Sequence, residues 1–124
     1  MASILVVDDD EGVRRALHRI LSKSGHEVLE AADGAHALTL CRESLPELAL
    51  IDMYMPGQDG IETMRFLRKE APHLKVIAMS GEQLEVSVGV LQMASMLGAV
   101  GVLRKPFEIG EVSEAVKAAL GGGG

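Results

Sequence analysis

Short apolar runs alternate with amphipathic stretches along the whole of this chain. Ile4-Leu5-Val6-Val7 predicts a strand over Ser3 to Val7, buried on both faces. Val13, Ala16, Leu17, Ile20 and Leu21 then recur at the spacing of a helix with one face on a core. Ser24-Gly25 ends that helix, and His26 to Glu30 predicts a short strand. Asp33 caps a second helix, which runs to Glu43 and turns Ala37, Leu38 and Cys41 inward. Glu47 to Ile51 is a third strand. Residues 53–60, with Pro56-Gly57 at their centre, predict a loop. A third helix follows from Ile61 to Glu70, with Ile61, Met64 and Leu67 inward and Pro72 just beyond it. Lys75 to Met79 is a fourth strand. After a loop over residues 81–86, a fourth helix runs to Leu97, with Leu91, Ala94 and Leu97 on one stripe and Gly98 as its stop. The alternation Val86-Ser87-Val88-Gly89-Val90 also fits a strand, which leaves the start of this helix open. Val100 to Leu103 is a fifth strand, and Ile109 to Leu120 a fifth helix presenting Ile109, Val112, Ala115, Val116 and Ala119. Repeated strand–helix units of this kind predict a parallel sheet covered by helices on both faces.

Composition narrows the picture. At 124 residues the chain is one domain, and its 48% hydrophobic residues suffice for an ordinary core. Aromatics are limited to Tyr54, Phe66 and Phe107, so the core is aliphatic. The net charge of −6 disfavours a broad basic surface for nucleic acid or anionic membrane, and it suits a partner that is a cation. Cys41 stands alone, which excludes an intrachain disulfide and makes a reducing, cytoplasmic compartment the default. No apolar run reaches membrane-spanning length, and no signal peptide precedes the first strand. Gly121 to Gly124 is expected to be a flexible tail or the stub of a linker to a removed effector. The four histidines, His18, His26, His36 and His73, are scattered and expected to be solvated. Met93 and Met96 are expected to pack against the core rather than line a partner groove.

Polar residues sit where the predicted strands end. Asp8-Asp9-Asp10 follows the first strand, Asp52 the third, Ser80-Gly81 the fourth and Lys105-Pro106 the fifth. In an open parallel sheet, the carboxyl ends of the strands line the ligand crevice, so these groups converge. Each alone has a bland explanation: a helix N-cap for Asp10, a turn for Asp52, a local backbone bond for Ser80 and a solvated lysine for Lys105. Together they form a set that can hold a cation and a phosphoryl group. Adjacent carboxylates repel unless a cation joins them, and Mg²⁺ takes oxygen ligands while keeping several waters. A carboxylate beside such an ion is a possible nucleophile toward phosphorus. A serine hydroxyl and a lysine ammonium suit phosphoryl oxygens.

From Ile4 to Leu120 the chain resembles the receiver domain of two-component response regulators. The likeness is carried by Ile4-Leu5-Val6-Val7-Asp8-Asp9-Asp10, Leu50-Ile51-Asp52-Met53-Tyr54-Met55-Pro56-Gly57, Met79-Ser80-Gly81 and Leu103-Arg104-Lys105-Pro106-Phe107. It implies a domain over residues 1–120 with a doubly wound, flavodoxin-like α/β fold and five parallel strands in the order 2-1-3-4-5. It implies that Asp52 is the phosphoacceptor, and that Asp9, Asp52 and the Tyr54 carbonyl bind Mg²⁺ directly while Asp8 holds metal-bound water. Ser80 and Lys105 would bind phosphoryl oxygens, Tyr54 and Glu82 would flank the attack path, and the Lys105–Pro106 bond would be cis. The implied partners are a histidine kinase or histidine phosphotransfer protein and a downstream protein, with no direct nucleic-acid or membrane contact. The implied activity is self-catalysed phosphorylation and slow dephosphorylation rather than enzymatic turnover. Two positions depart from the family pattern: Val102 stands where many receivers have an aromatic switch residue, and Asp10 where glutamate is common. Two other readings compete. A phosphatase resembling haloacid dehalogenases would use Asp8 and Asp10 as its acid pair, and a receiver-like interaction module would not be phosphorylated at all.

Overall fold

The computed structural model describes residues 2–55, 58–81, 89 and 92–121 of the chain. Its strands are β1 (Ser3–Val7), β2 (Glu27–Ala31), β3 (Leu48–Asp52), β4 (Tyr54–Met55), β5 (Gln58–Asp59), β6 (Lys75–Ser80) and β7 (Gly101–Arg104). The helices are α1 (Glu11–Lys23), α2 (Gly34–Ser44), α3 (Gly60–Glu70), helical residues 92–96, here α4, and α5 (Ile109–Ala119).

The main sheet is parallel, in the order β2-β1-β3-β6-β7. With the two-residue strands set aside, that is the second, first, third, fourth and fifth strand, the doubly wound arrangement expected. Alternation along the strands splits the core in two. Leu5, Val7, Ala49, Ile51, Val76 and Ala78 face one side, under Ala37 and Cys41 of α2, Met64 and Leu67 of α3 and Ala94 of α4. Ile4, Val6, Leu48, Leu50, Ile77 and Met79 face the other, under Leu17 and Leu21 of α1 and Val112 and Val116 of α5. Each fully buried large aliphatic side chain contributes roughly 1.5–3 kcal/mol, so these layers fix the sheet that carries the strand-end residues.

Several expectations change. Residues 53–60 are not simply a loop: β4 and β5 pair antiparallel, Tyr54 with Asp59 and Met55 with Gln58. A two-residue ladder is too short to show periodicity, and Pro56 and Gly57, between its arms in sequence, lie outside the described residues. Ile109 is 67% exposed at the first position of α5, whose buried residues are Val112, Val116 and Ala119. Ala16 is also exposed. Met93 and Met96 are exposed on α4, not packed inward; Ala94 between them takes the core-facing position. Two histidines have partners: His26 Nδ1 accepts from the Ala2 N–H at 3.1 Å, and His18 Nδ1 lies 2.8 Å from Glu30 Oε2. The expectations for Glu82, for the 86–90 alternation and for Leu91 fall on residues outside those described, apart from Gly89, which is helical. No described helix is long and apolar enough to cross a membrane.

Candidate functional site

Parallel pairing places the polar strand ends side by side. Asp52, the last residue of β3, is in register with Met79, one residue before Ser80 at the end of β6. Ser80 is in register with Arg104, one residue before Lys105. Backbone bonds continue the ladder past the strands, from Met53 N–H to the Met79 carbonyl at 2.9 Å and from Lys105 N–H to the Ser80 carbonyl at 2.7 Å. The Lys105–Pro106 peptide is cis.

Asp8 is fully buried, and Asp52 and Ser80 are each 3% exposed. Buried polar groups are costly unless bonded, and the acids here are bonded throughout. Lys105 Nζ lies 2.6 Å from Asp8 Oδ2 and 3.3 Å from Asp52 Oδ2, so one ammonium bridges two carboxylates. Asp52 Oδ1 accepts from the Tyr54 N–H at 3.1 Å, a contact set by the turn into β4. The Tyr54 ring is exposed. Asp9, also exposed, completes a cluster in which one carboxylate oxygen each from Asp8, Asp9 and Asp52 lies within 4.8 Å of the others. Hard oxygen donors gathered this closely suit one small divalent cation such as Mg²⁺.

Burial raises the Asp52 pKa above its ordinary value; the Tyr54 N–H pulls it down, the Asp8 charge pushes it up and Lys105 pulls it down again. For Lys105, burial lowers the pKa, but the bonds and charges of Asp8 and then Asp52 outweigh it and raise the pKa overall. The lysine therefore stays cationic and the Asp52 carboxylate sits in an environment that penalises its charge.

Asp10 does not join the cluster. Its carboxylate caps α1, accepting from the Val13 N–H at 3.2 Å. Asp10, which the phosphatase reading needs beside Asp8 as an acid pair, is thus engaged at the start of α1. Glu82 lies outside the described residues.

Two contributors escaped the sequence reading as site residues. Gly60 begins α3 directly against the backbone of β3: an added Cβ would lie 2.6 Å from the Asp52 carbonyl oxygen and closer still to Met53 Cα. Its signal in the sequence is Asp59-Gly60, which ends the loop and begins the helix without marking a site residue. Arg14 on α1 donates from Nη1 to the Asp8 carbonyl at 2.8 Å, and nothing in the sequence pattern marks it.

The family model for the response regulator receiver domain matches residues 4–117. Sporulation initiation phosphotransferase F of Bacillus subtilis is 37% identical over 116 residues, covering 92% of this chain and 90% of that protein. Response regulator MprA of a Mycobacterium species is 38% identical over 117 residues, covering 94% of this chain but 50% of MprA, so the chain spans half the length of that relative. The crystal structure of the receiver domain of NtrX from Brucella abortus superposes with a TM-score of 0.89 at 31% identity, covering 95% of this chain and 98% of that one. A longer NtrX chain gives 0.91, with 27% of its length covered.

Proposed function

We propose that this chain, which belongs to the response regulator receiver domain family, accepts a phosphoryl group on Asp52 in a Mg²⁺-dependent two-component phosphorelay and changes its protein contacts as a result. The observation that carries the reading is the bridging of buried Asp8 and Asp52 by Lys105 beside exposed Asp9.

Asp8, Asp9 and Asp52, with the Tyr54 carbonyl, would hold Mg²⁺, which when bound supplies Lewis-acid neutralisation of phosphoryl charge. Asp52 contributes the nucleophilic oxygen. The Asp52 O–P bond forms as the N–P bond of a donor phosphohistidine breaks, and the departing imidazole takes a proton from solvent. Lys105 can turn its ammonium from the Asp8 and Asp52 carboxylates toward an oxygen of the transferring group. The product carries about 1.5–2 negative charges on Asp52. The Ser80 hydroxyl, at the neighbouring strand end, gains a charged acceptor, and that differential contact biases the segments that follow β6 and β7. With Val102 43% exposed on β7 and not aromatic, switching here does not use an aromatic side chain at that position. The donor is a histidine kinase or histidine phosphotransfer protein, and the recipient of the signal is a downstream protein or effector domain. Residues 1–120 make up the receiver unit, and a cytoplasmic setting suits it.

A small N-phosphoryl donor tests the reading. Phosphoimidazole labelled at phosphorus, with Mg²⁺, is expected to label the wild-type chain and not Asp52→Asn. Equal labelling of both would refute Asp52 as the acceptor.

A further inference from the structure

Asp8 is held at every polar atom it has. Its N–H donates to the Ala31 carbonyl at 3.1 Å. Its Oδ1 accepts from the Asp10 N–H at 2.9 Å, and its Oδ2 from Lys105 Nζ at 2.6 Å. The remaining atom, the carbonyl oxygen, accepts from Arg14 Nη1 at 2.8 Å. Arg14 is itself aimed: its Nε lies 3.3 Å from Glu30 Oε1, and the second Glu30 oxygen faces His18 one turn along α1. The Arg14 and Glu30 side chains are only 16% and 27% exposed, so solvent competes weakly for this pair. The end of β2 thus grips Asp8 twice, directly through Ala31 and indirectly through Glu30 and Arg14.

The gripped carbonyl belongs to the planar peptide that joins Asp8 to Asp9. Its direction therefore sets the plane from which the exposed Asp9 side chain departs. We propose that Arg14, oriented by Glu30, is a positioning residue for the acidic cluster: it fixes the Asp8–Asp9 peptide and so sets the affinity of the cluster for a divalent cation. This rests on the reading above that the cluster takes Mg²⁺. Supporting groups behind metal ligands act in this way, by holding the ligands in their productive geometry.

Arg14 has two physical effects of opposite sign. As a charge, its guanidinium repels an incoming cation, so removing it should tighten binding. As a positioner, it preorganises the acids, so removing it should weaken binding. Isothermal titration of Mg²⁺ into the wild type, Arg14→Gln and Arg14→Lys, at fixed ionic strength and without phosphodonor, separates the two. The expected result is about tenfold weaker binding by Arg14→Gln, the scale of losses behind metal ligands. Arg14→Lys should also bind more weakly, because it keeps the charge but loses the fork that spans Glu30 and the Asp8 carbonyl. An Arg14→Gln affinity equal to or tighter than wild type overturns the proposal. Should Arg14→Gln fail to fold by circular dichroism, Glu30→Gln decides in its place, and unchanged binding there overturns the proposal as well. A wild type that binds no Mg²⁺ brings down the metal reading together with this inference, whereas a wild type that binds, with unaltered variants, removes only the role of Arg14.

Discussion

At the scale of single residues, the site is held together by electrostatic opposition rather than by relaxed burial. Asp52 is almost wholly enclosed and its pKa is raised, chiefly by burial. A carboxyl whose folded pKa exceeds its unfolded one binds its proton more tightly in the native state. The native state is therefore destabilised as pH rises from the ordinary value of 3.8 through the raised folded value, and the penalty is fully present above that window. Replacing Asp52 by Asn removes the penalty while nearly keeping the shape. The metal-free Asp52→Asn chain is thus expected to have a higher urea midpoint than wild type at pH 7, with the gap closing as pH falls toward 4. Urea titrations across pH in the presence of a chelator check this; a lower midpoint for the variant at pH 7 would mean that the Lys105 and Tyr54 contacts outweigh burial. The polar identities at this scale were legible in the sequence. Asp8, Asp52, Ser80 and Lys105 each follow an apolar run, and that position alone announces a strand end. Arg14 was not legible, because its role depends on β2 lying beside α1, and no local pattern encodes that adjacency.

At the scale of elements, the junction between β3 and α3 governs where Asp52 points. The β4–β5 hairpin carries the chain out of β3 and back, and Gly60 lets the first turn of α3 close on the Asp52–Met53 backbone. Because the obstructing atoms are backbone, they cannot swing aside as a flexible side chain would. Gly60→Ala is expected to cost about 1–3 kcal/mol, the usual scale of overpacking, and to slow phosphorylation by displacing Asp52. Chemical denaturation together with the phosphorylation rate measures both, and a variant matching wild type in each would show that the junction yields freely. The helices illustrate what periodicity resolves. The stripes of α1 and α5 place Leu17, Leu21, Val112 and Val116 correctly, since each spans several turns of a helix lying flat on the sheet. Ile109 fits the same stripe yet is exposed at the first position of α5, so the stripe alone does not tell which of its members is buried. Met93 and Met96 are exposed for a different reason: on α4 the small Ala94 makes the close approach, and the longer methionines are left on the outer side.

At the scale of the whole molecule, a chain of net charge −6 concentrates three carboxylates at one sheet edge and sets one lysine between two of them. The alternation of elements made the parallel sheet legible and crossover handedness narrowed its topology, while the strand order itself came from the family resemblance and matches the sheet. What the sequence alone could not supply was distance: that Lys105 reaches both Asp8 and Asp52, and that Asp10 turns away to cap α1. A ligand that binds only the native state stabilises it by mass action, by about 2.7 kcal/mol at a hundred times its Kd. Saturating Mg²⁺ is therefore expected to raise Tm, a chelator to reverse the rise, and Asp9→Asn to abolish it without loss of metal-free stability, since Asp9 is exposed. Thermal melts at constant ionic strength check this; an equal response of the variant would move the ion elsewhere.

The most direct measurement is the intact mass of the chain after incubation with acetyl phosphate and Mg²⁺. A single phosphoryl adduct is predicted on the wild type, absent with excess chelator and absent on Asp52→Ala. An adduct that persists on Asp52→Ala, or a wild type that stays unmodified while magnesium is saturating, would contradict the assignment of Asp52 as the group that takes the phosphoryl.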